Sequence, residues 1–116
     1  MAAVEIELLR RAYAAFNRRE IETVIALMHA NVDWPNGMEG GRVLGTAAAR
    51  DYWKRQFEMI DSHVEPKAFT TESDGRIAVE VHQVAHDKSG KLLTDRLVQH
   101  IYEIRDGLIQ SMEIRD

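Results

Sequence analysis

Residues 100–109 read HIYEIRDGLI, and this stretch carries the strongest structural signal in the chain. Apolar and polar side chains alternate up to Arg105, which is the period of a β-strand with two different faces. Asp106-Gly107 then interrupts the alternation, and Asp-Gly between two such runs is a typical two-residue hairpin turn. We therefore expect an antiparallel hairpin here, with Arg105 opposite Leu108.

The same period of two extends beyond this hairpin. It predicts strands over residues 67–72, 76–86, 92–105 and 108–115. Turns rich in Gly, Asp and Ser separate these strands at residues 73–75, 87–90 and 106–107. Because consecutive strands joined by short turns pair antiparallel, the C-terminal half is predicted to form one antiparallel sheet.

The N-terminal half has the period of a helix instead. Apolar side chains at three- and four-residue spacing predict helices over residues 3–18, 20–29 and 47–60. His29 falls in the last turn of the second helix, where the helix dipole favours a cation. A short extended segment then ends at Pro35, and a Gly-rich connection follows it. Helices segregated from hairpins indicate an α+β fold.

Length and charge exclude several classes of function. A chain of 116 residues corresponds to a single domain, residues 1–116. It has no cysteine, so neither a disulfide nor a thiolate-bound metal is available. The net charge is −4 and no basic run is present, so no nucleic-acid partner is expected. No apolar stretch approaches the ~20 residues that cross a bilayer, so we expect no membrane partner and a cytoplasmic location.

Six segments of the chain carry a family resemblance: LLR at 8–10, YAAFN at 13–17, ALMH at 26–29, VDWP at 32–35, GTAA at 45–48 and the hairpin at 100–109. Together they resemble the nuclear transport factor 2-like superfamily, and more narrowly its SnoaL-like and ketosteroid-isomerase-like branch. The resemblance implies a cone-shaped, cystatin-like α+β barrel, in which a curved antiparallel sheet wraps around three N-terminal helices. It is less specific for activity, because this scaffold hosts isomerases, epoxide hydrolases, dehydratases, cyclases and non-catalytic modules.

Ketosteroid isomerases use a carboxylate base and an oxyanion hole made by a tyrosine and a protonated aspartic acid. By resemblance, Tyr13 takes the place of that tyrosine. The base position falls on Trp34, with Asp33 one residue away and therefore on the other strand face. The oxyanion acid falls on Gln99 or His100. Because neither is a carboxylic acid, we do not expect steroid isomerase activity.

The hairpin register supplies a site hypothesis from the residues themselves. With a regular two-residue turn, Tyr102 pairs with Ser111 and His100 pairs with Glu113. A carboxylate beside an imidazole raises its basicity and makes it a general acid or base near neutral pH. His100, Glu113 and Tyr13 are therefore the candidate catalytic residues. The alternative is a cross-strand polar pair with a structural role alone.

This register also divides the sheet into two faces. The predicted cavity face carries Arg96, Val98, His100, Tyr102, Ile104, Ile109, Ser111 and Glu113. The opposite face carries Leu97, Gln99, Ile101, Glu103, Gln110, Met112 and Ile114. The first mixes apolar and titratable groups, as a ligand cavity does. The second is more apolar than an exposed sheet face should be, so a homodimer through the sheet is expected.

Large side chains are candidates for the cavity wall. The predicted lining residues are Phe16, Trp34, Met38, Trp53, Phe57, Arg96, Val98 and Tyr102. For the apolar ones, an ordinary place in the core is the alternative. Glu80, His82 and His86 share one strand face, but Glu80 and His86 stand about 20 Å apart at ~3.3 Å per residue. These three cannot share one ion, so no metal site is expected.

Two classes of function fit this sequence. The first is an enzyme that binds a small, apolar or oxygenated molecule and works without a cofactor, by acid–base isomerisation, hydration, dehydration or cyclisation. The second is a non-catalytic ligand-binding or homodimerisation module that uses the same cavity and the same sheet. Substrate identity is not encoded in any motif of the chain.

Overall fold

The computed structural model describes residues 2–37 and 39–115. Within these residues, three helices and six strands follow one another as α1 (Ala2–Asn17), α2 (Ile21–Ala26), β1 (Met28–Pro35), β2 (Arg42–Leu44), α3 (Thr46–Met59), β3 (Ile60–Thr71), β4 (Ile77–Asp87), β5 (Leu92–Arg105) and β6 (Leu108–Arg115). The α+β class expected from the sequence is confirmed. None of the helices in the described ranges is long and apolar enough to cross a membrane.

The six strands form one curved, open sheet with the order β2-β1-β6-β5-β4-β3. All neighbouring pairs are antiparallel except β1 and β6, which run parallel. The predicted antiparallel pairing of the four C-terminal strands is confirmed, and the parallel β1–β6 pair makes the complete sheet mixed. No short turn can join two parallel neighbours, so their pairing leaves no local signal in the sequence. Because β2 and β3 remain as edges, the sheet does not close into a barrel.

The first half of the chain differs from the prediction at two elements. Helix α2 ends at Ala26, and His29 lies in strand β1 rather than in a helical turn. Its imidazole Nδ1 accepts a hydrogen bond from the Asn31 backbone N–H at 3.1 Å. The segment predicted as a Gly-rich connection contains strand β2, whose Val43 pairs with Trp34. A three-residue edge strand is too short to show a period.

Strand β3 begins at Ile60, well before the predicted start at residue 67, and it runs through Pro66. Proline has no N–H to donate, so it is tolerated on edge strands and at bulges. Both conditions hold here, because β3 is the edge of the sheet and its register with β4 shifts between Pro66 and Ala68. The proline therefore interrupts the pairing locally without ending the strand.

The β5–β6 hairpin turns at Asp106-Gly107, whose φ angles are 55° and 76°. Two positive φ values are what the favoured two-residue turn requires, and Arg105 pairs with Leu108 as predicted. Beyond the turn, the register shifts: Ile104 pairs with Ile109, whereas Glu103 pairs with Ser111. The extra residue between these partners is a β-bulge at Gln110 on strand β6.

This bulge reverses the face of every later residue of β6. His100 lies opposite Ile114, and Glu113 lies opposite Ile101. Since neighbouring residues of a strand point to opposite faces, Met112 and Ile114 turn toward the helices while Ser111 and Glu113 turn away. The predicted pairing of His100 with Glu113 was therefore wrong, and so was the predicted assignment of faces beyond Gln110 on β6.

All three helices contribute to the core on one side of the sheet. Helix α1 packs on β3 and α2, and α3 packs on β1, β2 and β3. The largest fully buried side chains between the layers include Leu9, Trp53, Ile77 and Ile109. Asn17, at the end of α1, forms two hydrogen bonds with the Val64 backbone: its Nδ2 donates to the carbonyl at 2.7 Å and its Oδ1 accepts from the N–H at 2.9 Å.

Candidate functional site

A cavity of about 290 Å³ lies between the helices and the sheet. Its walls come from α1, α2, α3 and from five of the six strands, and most of them are apolar. The lining residues are Ala12, Tyr13, Phe16, Val24, Trp34, Pro35, Gly37, Tyr52, Trp53, Gln56, Ile60, Ser62, Val64, Gln83, Ala85, Leu93, Thr94, Arg96, His100, Tyr102, Ile109, Met112 and Ile114. Its size is at the lower end of the range for small-molecule sites.

Three buried polar side chains form a connected chain at the inner end of this cavity. Tyr102 donates its hydroxyl proton to the Tyr13 hydroxyl oxygen at 2.8 Å. The Tyr13 hydroxyl lies 2.8 Å from the Nδ1 atom of His100. We call these three residues the inner relay. Each is less than a tenth exposed: Tyr13 4 %, Tyr102 3 % and His100 7 %.

Secondary structure places the members of the relay at the same point. His100 and Tyr102 are two residues apart on β5, so they project from the same sheet face. Their partners on β4 are Val79 and Ile77, and both are fully buried. Tyr13 comes from the inward stripe of α1 and reaches between them. Its ring is nearly parallel to the His100 ring, at an interplanar angle of 15°.

Burial keeps all three groups neutral at ordinary pH. It lowers the pKa of His100 from 6.5 to about 4, because water no longer solvates the imidazolium. Burial also raises the pKa of Tyr13 well above 10, and the neighbouring Tyr102 adds to the rise. The pKa of Tyr102 is likewise raised by burial, and the bond to Tyr13 offsets part of that rise.

We assign one direction to the hydrogen bonds of these neutral groups, starting from the Tyr102–Tyr13 bond. Tyr13 accepts from Tyr102, so its own proton is left to donate to Nδ1 of His100. A neutral imidazole that accepts at Nδ1 carries its proton at Nε2. Within residues 2–37 and 39–115, the structure shows no hydrogen-bond partner for that Nε2–H. The relay therefore runs from the Tyr102 hydroxyl through the Tyr13 hydroxyl to His100, whose Nε2–H is the donor left for the cavity.

Glu113, the third predicted catalytic residue, is not part of this site. The bulge at Gln110 turns it to the outer face of the sheet, where its side chain is 61 % exposed. There its carboxylate lies 3.4 Å from the guanidinium of Arg76. The spacing of apolar residues on β6 was the signal that could have revealed this. Ile109, Met112 and Ile114 are separated by three and then two positions, and a step of three within an alternating strand indicates a bulge.

The predicted lining residues divide into three groups. Those found in the cavity wall are Phe16, Trp34, Trp53, Arg96 and Tyr102. Two others lie elsewhere: Val98 is buried in the core, and Phe57 packs on Phe16 at 5.1 Å between ring centroids, with the Arg19 guanidinium over its ring. Met38 lies outside the described residues.

An aromatic wall connects the two ends of the cavity. Trp34 lies edge-on to Trp53 at 5.3 Å and tilted against Tyr102 at 6.1 Å between ring centroids. Because their planes are inclined by 81° and 54°, these rings present both edges and faces to a ligand and form an apolar surface that is not flat. Arg96 is also in the wall, but its side chain is exposed, so it belongs to the mouth rather than to the buried end.

Helix α3 contributes polar groups that the sequence did not single out. The Tyr52 hydroxyl accepts from the Gly37 backbone N–H at 3.1 Å and from Nε2 of Gln56 at 3.2 Å. The other end of that amide, Oε1 of Gln56, is buried and has no hydrogen-bond partner in the described part of the chain. The helical stripe through Ala49 and Trp53 identifies these as inward positions, but it carries no sign of their polarity.

Acidic groups are scarce in this site. Among the described residues that line the cavity there is no aspartate or glutamate. In the ranges 2–37 and 39–115, no three His, Asp or Glu side chains converge in a way that could hold a metal ion. His82, one of the strip with Glu80 and His86, instead contacts Asp95 at 2.6 Å on the outer face.

Comparison with known proteins gives a family and a set of similar structures. Residues 9–112 match the model of the SnoaL-like domain. The structure of TerC co-crystallised with polyporic acid is 27 % identical, covers 97 % of this chain and 92 % of that one, and has a TM-score of 0.83. A candidate polyketide cyclase from Xanthomonas campestris pv. campestris is 23 % identical over 97 % of this chain and 89 % of that one, with a TM-score of 0.81.

A nuclear transport factor 2-like protein of unknown function from Burkholderia pseudomallei is similar as well. It is 24 % identical over 97 % of this chain and 91 % of that one, with a TM-score of 0.83. At these identities, the second and third structures show the fold alone. No significant match was found among curated proteins.

Proposed function

This chain belongs to the SnoaL-like domain family, and on that premise we propose that it binds a small, largely apolar carbonyl compound and promotes its enolisation, as in an isomerisation or a cyclisation. The observation that carries the proposal is the inner relay of Tyr102, Tyr13 and His100 in the wall of an apolar cavity. The carbonyl oxygen would accept a hydrogen bond from Nε2–H of His100.

The relay suits this task because its three donors point the same way. Hydrogen bonds in such a chain polarise one another, so Nε2–H becomes a stronger donor than an isolated imidazole. A fixed donor in a dry site stabilises the negative charge that develops on the oxygen of an enolate. A neutral imidazole can act in this way, as an electrophile rather than as a base.

The surroundings of the relay restrict the choice of substrate. No carboxylate is present among the described cavity-lining residues, and the low pKa of His100 makes it a weak base. The proton that leaves carbon must therefore pass to water at the mouth or to another group of the substrate. This favours substrates whose C–H bond is already acidic, such as aryl ketones or 1,3-dicarbonyl compounds.

The comparisons support a small organic ligand and an activity of this type. TerC, at 27 % identity, was co-crystallised with polyporic acid. Several structures of the same fold are candidate polyketide cyclases. The alternative, a non-catalytic binding protein, is favoured by the lack of a carboxylate base in the described wall. The two functions predict the same binding and different turnover, so one probe can separate them.

The probe is 2-tetralone, which has a flat apolar body, one carbonyl and acidic C–H bonds beside it. In D₂O, we expect the protein to accelerate deuterium incorporation at these carbons. We also expect the ¹³C resonance of the bound carbonyl to move downfield, because it accepts a hydrogen bond. His100→Asn keeps an acceptor near Tyr13 and removes Nε2–H, so exchange should slow about a hundredfold, as when one oxyanion donor is lost.

His63→Gln is the matched control, because His63 is exposed on the outer face of β3. Exchange should be unchanged in this variant. Binding with a shifted carbonyl but without accelerated exchange would establish the non-catalytic alternative. If 2-tetralone neither bound nor exchanged faster, or if His100→Asn matched the wild type, the proposed function would be refuted.

A further inference from the structure

The cavity has a second polar point, formed by the side chains of Tyr52 and Gln56 together with the Gly37 N–H. We call it the Gln56 subsite. The Tyr52 hydroxyl holds Nε2 of Gln56 at 3.2 Å and is itself held by the Gly37 N–H at 3.1 Å. The amide is thus fixed at one end, while its Oε1 is buried and unpaired in the described chain. Buried amide groups nearly always have partners, so an orphaned one in a cavity wall requires explanation.

Turning the amide over does not remove the unpaired group. In that orientation Oε1 faces the Tyr52 hydroxyl, and the NH₂ group takes the unpaired position. Either arrangement leaves one polar end of Gln56 without a partner from the described protein. Because Gln56 lines the cavity, a molecule in the cavity can supply that partner once the amide turns its nearly inaccessible Oε1 toward it.

The subsite adjoins Trp53 of the aromatic wall through helix α3, whereas the inner relay includes Tyr102. Gln56 is one helical turn from Tyr52 and Trp53 on α3, whereas His100 and Tyr102 belong to β5. Two ring-to-ring steps connect the ends, 6.1 Å from Tyr102 to Trp34 and 5.3 Å from Trp34 to Trp53. A molecule that touched both the subsite and the relay would carry two polar groups separated by an apolar body.

We infer that Gln56 is a specificity-determining residue, which accepts a hydrogen bond from a hydroxyl group on the end of the ligand remote from its carbonyl. The ligand class is then a hydroxylated, largely apolar carbonyl compound. This inference rests on the proposed function for the carbonyl end, and it adds the group that the other end must carry. A hydroxyl is suited to the site in both amide orientations, because it can donate and accept.

The test uses probes without a carbonyl, so that it reads the subsite independently of the relay. 2-Naphthol and 2-methoxynaphthalene share an apolar body, but only the first can donate a hydrogen bond. By calorimetry, at a pH where the naphthol is neutral, we expect the wild type to prefer 2-naphthol about five- to tenfold, the usual gain from one such bond. Gln56→Met should abolish the preference, and Gln56→Glu, which still offers an acceptor, should restore it.

Gln99→Met is the control, because Gln99 is exposed on the outer face opposite Glu80. It should keep the wild-type preference. The side-chain ¹⁵N–H₂ resonances of Gln56, identified by their loss in Gln56→Met, should move with 2-naphthol and not with 2-methoxynaphthalene. A merely structural amide would respond equally to both.

Each outcome decides the inference. Equal preference ratios in the wild type and Gln56→Met would show that Gln56 pairs with water alone, and binding of neither naphthalene would also overturn the inference. A Gln56-dependent preference without accelerated exchange of 2-tetralone would keep the subsite and remove the catalytic proposal. Accelerated exchange of 2-tetralone without a Gln56-dependent preference for 2-naphthol would keep the catalytic proposal and remove the subsite.

Discussion

At the scale of single residues, His100 shows how its environment can reverse a role assigned from sequence. The sequence predicted an imidazole made basic by a neighbouring carboxylate. In the structure its neighbour is the Tyr13 hydroxyl, and burial lowers the pKa of His100 to about 4. The residue was identified correctly as part of the inward face, but its partner and its charge depend on one extra residue in the adjacent strand.

This lowered pKa links His100 to stability. The unfolded chain binds a proton near pH 6.5, whereas the folded protein does so only near pH 4. The contribution of His100 to the free energy of unfolding is therefore complete above pH 6.5 and is lost as the pH falls toward 4. Between about pH 7 and pH 5, we expect urea unfolding to show a loss of about 2 kcal/mol attributable to His100.

In His100→Asn, this part of the pH dependence should be absent. The exposed carboxylates whose pKa values are lowered, such as Glu22 and Asp61, act at lower pH and should affect both proteins equally. His63→Gln serves as the control and should retain the wild-type slope. Identical slopes for the wild type and His100→Asn over this range would show that His100 does not remain neutral when folded.

At the scale of elements, sequence periodicity and turn residues correctly located the three helices and the hairpin turn. The three helices begin and end within three residues of the predicted bounds, and the turn at Asp106-Gly107 is confirmed. Sequence periodicity missed three features that depend on contacts between distant parts of the chain. They are the parallel pairing of β1 with β6, the three-residue strand β2, and the early start of β3. The bulge at Gln110 had the largest consequence, because one inserted residue exchanged the two faces of β6 and removed Glu113 from the predicted site.

The contact between α1 and β3 shows how a helix stabilises an exposed sheet edge. Asn17 forms two hydrogen bonds with the Val64 backbone, as a neighbouring strand would. Asn17→Ala should lower the free energy of unfolding by about 2 kcal/mol, because both Val64 groups lose their partner in a half-buried place. Asn17→Asp keeps the acceptor for the Val64 N–H but sets a carboxylate oxygen against the Val64 carbonyl oxygen, so it should also be destabilised.

Chemical denaturation of these variants is the measurement. Asn31→Ala is the control, since Asn31 is exposed and its hydrogen bonds with His29 and Gln110 involve only its backbone. Hydrogen exchange at the Val64 amide should also accelerate in Asn17→Ala. A stability equal to that of the control would mean that the edge of β3 is held by packing alone.

At the scale of the whole molecule, the two sides of the sheet differ in how they are covered. The helices and the cavity occupy one side, while in the described chain no helix packs on the other. Of the four residues predicted to make the outer side apolar, Met112 and Ile114 turn inward at the bulge, and Ile101 is buried opposite Glu113. Leu97 remains, 61 % exposed, near the middle of the long central strand β5.

The homodimer through the sheet stays a prediction, now centred on Leu97. An exposed leucine on the uncovered face of a central strand is best buried against a second copy of the same face, since a two-fold axis brings equivalent residues together.

Sedimentation at micromolar concentration should show a dimer. Leu97→Lys should dissociate it, because the interface would bury two ammonium groups without partners. Val4→Lys, at a 71 % exposed position on α1, should remain dimeric. A wild-type monomer, or a Leu97→Lys dimer as tight as the wild type, would rule out this face as the interface.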